Sequence, residues 1–172
     1  MKRIYYSVTF ASLICLFSAS CTKNDQSAEN ANKATLFEAF ITDKGFRPTS
    51  FYSDKPIDYN QDDSMGKAET NLWPYVKLHI RDDRNQFMKG TGLRIEQNET
   101  KLPSNDSAFL IRNYSVGSDA SGVYLNFVDY DYIPLRYKLL EFTDDHFVIY
   151  VDWRDKKKEN AAMLFSRFDL LP

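Results

Sequence analysis

Cysteine is almost missing from this chain: Cys15 and Cys21 are the only two in 172 residues. Everything after residue 21 therefore lacks a thiol for a disulfide or a thiolate metal site, and its fold has to be held by apolar burial alone. Histidine is equally scarce. His79 and His146 each lack a second His, Cys or carboxylate at metal-ligand spacing, and no Gly-x-Ser-x-Gly, His-Glu-x-x-His or glycine-rich phosphate loop occurs. These absences remove the common hydrolase, zinc-protease and nucleotide-binding signatures. There is no excess of positive charge, with 22 basic residues against 24 acidic and a net charge of −2. The one basic run, Lys156-Lys157-Lys158, is flanked by Asp155 and Glu159 and reads as a hairpin tip. Nucleic acid is thus a poor partner, because neutralising phosphates requires a clustered basic face. The longest apolar stretch, Ile4 to Phe17, is too short to stay in a bilayer as a spanning helix.

That stretch has another use. Lys2-Arg3, the apolar run and the small residues Ser18-Ala19-Ser20 follow the order of an export signal. With Cys21 directly behind it, the segment resembles a bacterial lipobox, in which the thiol is lipidated and becomes the mature N-terminus. The resemblance implies a cleaved signal at 1–20 and a protein anchored by acyl chains in the bacterial cell envelope, with the outer membrane as the expected address. Loss of Lys2 and Arg3 would leave 20 basic against 24 acidic residues, a formal charge of −4. Residues 22–34 carry no large apolar side chain, so 21–34 is expected to be a flexible tether. Lys23 and Asp25 partly resemble the Lys-plus-acid export signals of some Bacteroidota lipoproteins.

One domain is expected over 35–172. Residues 34–41 suit a short helix or a first strand, with Leu36, Phe37 and Phe40 on one helical face. Beyond residue 85 the apolar residues recur every second position. Val123-Leu125-Phe127 alternate with Tyr124-Asn126, Ile133-Leu135-Tyr137-Leu139 with Arg136-Lys138, and Phe147-Ile149-Val151-Trp153 with His146, Tyr150 and Asp152. This period marks strands whose two faces differ, and turn residues such as Lys89-Gly90, Gly117-Ser118-Asp119 and Thr143-Asp144-Asp145 separate them. Counting 45–53 and 85–89, about eight strands result without helical crossovers. An all-β, antiparallel, up-and-down barrel or cup is the expected fold, since closure removes exposed edges.

The order of pieces is similar to that of the lipocalin-like lipoproteins of Bacteroidota: Gly45-Phe46 opening an aromatic strand, the Asp/Asn-rich Pro56 to Asp62, Thr70-Asn71-Leu72, Asp82-Asp83 ahead of Phe87, the Gly90-Thr91 turn, and a final apolar pair of strands from Tyr137 to Phe168. The resemblance implies an eight-stranded barrel open at one end and no defined reaction.

Within that frame three groups of residues invite chemistry. Trp73, Phe87, Tyr124, Phe127, Tyr137 and Trp153 would wall a small apolar ligand if the barrel is a cup, or fill it if it is solid. Asp58, Asn60, Asp62 and Glu69 fall on the first, third, fifth and twelfth positions of an oxygen-rich Ca2+ loop, although Asp63 occupies the place where such loops use glycine; a solvated polar loop has the same composition. Ser64 and Ser107 lie in Asp-Ser-apolar tripeptides that resemble Bacteroidota O-glycosylation sites. Glu141, Asp144 and Asp145 could be imagined as a hydrolase pair, but Asp144-Asp145 falls in an expected turn, and the turn reading is preferred. The expectation is a non-catalytic envelope lipoprotein that binds a small apolar or amphipathic molecule, the alternative being a protein-interaction module with a filled barrel, for an envelope protein partner.

Overall fold

The computed structural model describes residues 25–59, 68–100, 107–128, 133–155 and 161–172. It opens with a helix, α1, over 25–41. No Gly or Pro interrupts these residues, and Ala34, Phe37 and Ile41 recur at helical spacing and are buried. The flexible tether expected over 21–34 is corrected accordingly: residues 25–34 are helical, while 21–24 lie outside the described residues. Once the turn holding Phe37 and Ile41 is fixed by packing, each upstream residue adds a backbone hydrogen bond without a new nucleation step. Asn30 Nδ2 also donates to the carbonyl of Asp119 at 2.8 Å. Leu36, expected on the buried face, is instead 63% exposed. The helix ends where Thr42 N and Oγ1 both return to Glu38 O and Asp43 adopts φ 60°, a left-handed stop.

Nine strands follow: β1 (Lys44–Ile57), β2 (Glu69–Asn71), β3 (Arg84–Met88), β4 (Gly92–Glu96), β5 (Phe109–Asp119), β6 (Gly122–Val128), β7 (Pro134–Phe142), β8 (His146–Arg154) and β9 (Ala161–Leu170). All pairings are antiparallel. Strands β3 to β9 meander in sequence order, and β1 lies between β3 and β9, so β1 and β3–β9 close an eight-stranded barrel. This is the barrel read from the two-residue period, an architecture consistent with a lipocalin-like fold. The short β2 lies outside that circuit and pairs with the far half of β1, setting Ile57 opposite Glu69.

Alternation sorts the side chains as the sequence suggests. Phe46, Phe87, Leu93, Ile95, Leu110, Tyr114, Val123, Leu125, Leu139, Phe147 and Ile149 form one buried core with the α1 residues. Ile133 does not join them: it precedes β7 and is 53% exposed. Leu140 faces outward by alternation with Leu139, and the register shift between Leu139 and Glu141 leaves Glu141 exposed and brings Phe142 back to the core.

The two ends of the barrel differ. At one end, short turns join β3 to β4, β5 to β6 and β7 to β8, and α1 packs there with Phe37 against Phe142 and Phe147 and Phe40 against Phe46. At the other end, β1 leads through β2, a 3-10 turn at Trp73–Tyr75 and the single-turn α2 (Leu78–Arg81) back to β3. The connections β4 to β5, β6 to β7 and β8 to β9 also leave from this end, and parts of each lie outside the described residues.

Candidate functional site

A cavity of about 500 Å3 occupies the open half of the barrel. Its floor and walls are strand residues: Phe87, Leu93, Ile95, Leu125, Ile149 and Phe168 deep inside, and Phe127, Leu135 and Tyr137 nearer the mouth. Ser50, Asn85 and Ser166 add neutral polar groups from the β3, β1 and β9 side. The residues Trp73, Tyr75, Val76, Lys77, His79 and Ile80 come from the 3-10 turn and α2, so this segment is a lid over one side of the cup.

The lid is fixed by its own sequence. Leu72 N donates to Phe51 O at 2.9 Å, and the fully buried Leu72 side chain enters a second small core with Ile57, Ala162 and Leu164. Asn71 Oδ1 then accepts from Trp73 N, and Pro74 starts the 3-10 turn, where its missing N–H leaves no helical bond unmade. Arg81 reaches back and donates from Nε to Val76 O at 2.7 Å and from Nη2 to Pro74 O at 2.6 Å, with its guanidinium 5.6 Å from the Trp73 ring centre. Tyr59 touches Phe51 edge-on and lies 6.3 Å from the Tyr75 ring. Burial pushes the Tyr59 hydroxyl above its ordinary pKa. His79 is buried and partnered.

Four of the six aromatics singled out in the sequence line this cavity: Trp73, Phe87, Phe127 and Tyr137. Trp73 does so from the 3-10 turn rather than from a strand. Tyr124 does not. It shares the outer face of β6 with Asn126, its hydroxyl bonds to Ser121 Oγ and Asp119 Oδ1, and Arg136 stacks 3.6 Å from its ring centre. Period two put it there, since the inward residues of β6 are Val123, Leu125 and Phe127. Trp153 does not line the cavity either. It lies on the inward face of β8, but so close to the strand end that it packs with Val151 on the small core under Leu72. The sequence reading missed Tyr59, Tyr75, Lys77 and His79. Trp73-Pro74-Tyr75 held the only local signal, a proline beside two amphipathic rings.

The remaining sequence candidates are scattered. Cys21, Asn60, Asp62 and Ser64 lie outside the described residues. Asp58 is exposed at the end of β1, and Glu69 sits opposite Ile57 across the β1–β2 pairing, so the two ends of that loop are neighbours. Among the described residues no group of three His, Cys, Asp or Glu could hold a metal ion. Ser107 is exposed just ahead of β5, where its carbonyl accepts from Gln97 Nε2.

A His-Asp-Thr cluster stands at the closed end and works as a turn lock. His146 Nδ1 lies 2.7 Å from Asp145 Oδ1 and 2.8 Å from Thr143 Oγ1, while its Nε2 faces Glu141 at 3.6 Å. A catalytic triad needs the hydroxyl on one ring nitrogen and the carboxylate on the other. Here Thr143 and Asp145 both meet Nδ1, Glu141 stays beyond hydrogen-bond reach of Nε2, and Thr143 Oγ1 donates to Asp145 at 2.6 Å. The Thr143 hydroxyl, followed by His146, holds the Asp145 carboxyl down to about 2. Asp119 repeats the device at the β5–β6 turn, accepting from Ser121 N and Oγ, and its carboxyl is lowered chiefly by those two bonds.

A second hollow, between Asn113, Ser115, Asn126 and Arg136, is shallow and open to solvent. The chain matches no family model, and no curated protein matches it.

Proposed function

We propose that this protein is a lipid-anchored lipoprotein of the bacterial envelope, lipocalin-like in kind, whose barrel binds a small apolar or amphipathic molecule without chemical conversion. The observation that carries the reading is the cavity of about 500 Å3, walled by apolar and aromatic side chains with a few neutral polar groups, within the size and composition range of small-molecule sites. The alternative, an interaction module with a filled barrel, has less support, because the open half of the barrel is not filled by side chains. On the outer face Phe165, stacked on Tyr52 and tilted against Tyr150 across β9, β1 and β8, is only 9% exposed.

The chain has two tryptophans. In a Trp153→Phe variant, emission reports Trp73 alone, at the lid. Apolar and amphipathic probes should change that emission saturably. Unchanged emission across a broad panel would remove the ligand-binding reading. Anchoring is tested separately, because Cys21→Ala should abolish acyl labelling and release the protein from the membrane fraction. Unaltered membrane partitioning of that variant would reject the lipid anchor.

A further inference from the structure

The cup's lining has a charge bias that its chain does not share. The sequence is net acidic, yet not one of the described residues lining the cavity is Asp or Glu, and the one permanently charged side chain among them is Lys77, on the lid. We infer that the ligand is a single-chain anionic amphiphile, lying tail-inward in the barrel with its head at the mouth beside Lys77. The inference rests on the ligand-binding reading above and sharpens it.

Volume sets the number of chains. At about 30 Å3 per heavy atom, the space a water takes in the liquid, the cavity of about 500 Å3 holds on the order of 17 heavy atoms. That is one alkyl chain of medium to long length, and not the two chains of a membrane phospholipid. Polarity sets the direction. Phe87, Leu93, Ile95, Leu125 and Ile149 surround the inner part, where a charged head would lose its hydration without a partner. At the lid the charged groups are in other states of use. The Arg81 guanidinium is committed to the Val76 and Pro74 carbonyls. Asp82 Oδ2 accepts from Thr100 N, Asp83 is buried and partnered, the exposed Asp58 follows β1, and none of the three lines the cavity. Lys77 is exposed and makes no ion pair among the described residues, leaving its ammonium available at the rim. A carboxylate or a phosphate monoester on a single chain would satisfy the same site.

Four probes sharing one twelve-carbon chain separate the possibilities: dodecanoate, monododecyl phosphate, dodecanol and dodecyltrimethylammonium, each below its micelle concentration. They are titrated into the Trp153→Phe protein lacking residues 1–20; every contact described above lies within residues 25–172. Dodecanoate or dodecyl phosphate should bind tightest and the ammonium weakest, and the order of the first two identifies the head. Lys77→Glu should weaken the anionic probes roughly three- to ten-fold, the range of a partly exposed charge pair removed and then reversed, and leave dodecanol within two-fold. Lys77→Arg should restore the preference. Equal binding of dodecanol and the anions, or indifference to Lys77→Glu, would overturn the inference while leaving the cup as a binding site. Failure of all four probes to bind would overturn both.

Discussion

The two ends of the barrel are built from the same strands and differ in which aromatic residue they use. At the closed end the rings are nearly all phenylalanines: Phe37, Phe40, Phe46, Phe87, Phe142, Phe147 and Phe168 pack on one another with centroid separations between 4.9 and 6.1 Å, and the one tyrosine among them, Tyr114, spends its hydroxyl on Met88 O. At the open end most carry a polar tip, Tyr59, Trp73, Tyr75, Tyr137 and Trp153, beside the phenylalanines Phe51 and Phe127. A phenyl ring has no polar tip to satisfy, so it suits a sealed layer; tyrosine and tryptophan suit a surface that is apolar on one side and wet on the other. Connections differ in step. The closed-end turns are each tied by an aspartate: Asp43 Oδ1 accepts from Lys89 N, Asp119 from Ser121, and Asp145 from Thr143. The open end has instead a lid held down by one leucine and one arginine. Dense packing is thus concentrated at one end and the open cavity at the other, an arrangement that suits the proposed binding role, since a site needs low local stability.

Substitutions can break this contrast, and the largest effect should fall on the helix plug. Phe37→Ala empties a fully buried position between Phe142 and Phe147, and should destabilise the fold by about 3–5 kcal/mol in chemical denaturation. A loss under 1 kcal/mol would show that α1 is an accessory and that the closed end is sealed by strands alone. Next comes the β3–β4 turn, where Thr91 holds φ 76° despite its branched side chain. Thr91→Gly should relieve that strain and stabilise by about 1 kcal/mol.

Smaller still is the contribution of the Asp145 lock, visible only against pH. Its folded carboxyl sits near 2, below the unfolded value of about 3.9. The stability it supplies is present above about pH 4 and is lost as pH falls from there through 2. Asp145→Asn should lower the unfolding midpoint at pH 6 and narrow its gap to wild type at pH 2.5; parallel losses at both values would show that the carboxylate charge is irrelevant. At the open end, Trp73→Phe should move stability by no more than about 0.5 kcal/mol, yet weaken any probe that the cup binds. A large stability loss there would erase the division between the two ends.

The closed end and the strands were largely legible in the sequence because they follow period two, a signal carried by each strand independently. Val123-Leu125-Phe127 and Phe147-Ile149 read correctly for that reason. The site was legible only in part. Alternation assigns a face but not a height along the barrel, which is why Trp153, on the correct face, landed under Leu72 and not on the cavity. Tyr124 was assigned by residue type against its own alternation, and the structure follows the alternation. The lid was hidden because its shape depends on contacts distant in sequence, Leu72 reaching Ala162 and Leu164, which no local pattern records. Residues 25–33 read as a tether for a related reason: polar helix propagated from a packed turn has no apolar stripe of its own.

The seam between β1 and β9 sets the order in which this barrel can form. Phe46 pairs with Leu170 and Ser53 with Leu164, so the first long strand finds its second neighbour only in β9, more than a hundred residues later. Contacts of such sequence separation form slowly, since a long loop must be closed before any pairing rewards it. Until residue 170 is made, β1 and β8 each keep an open edge. A growing chain therefore cannot close this barrel until β9, which begins more than a hundred residues after β1 ends, has been made.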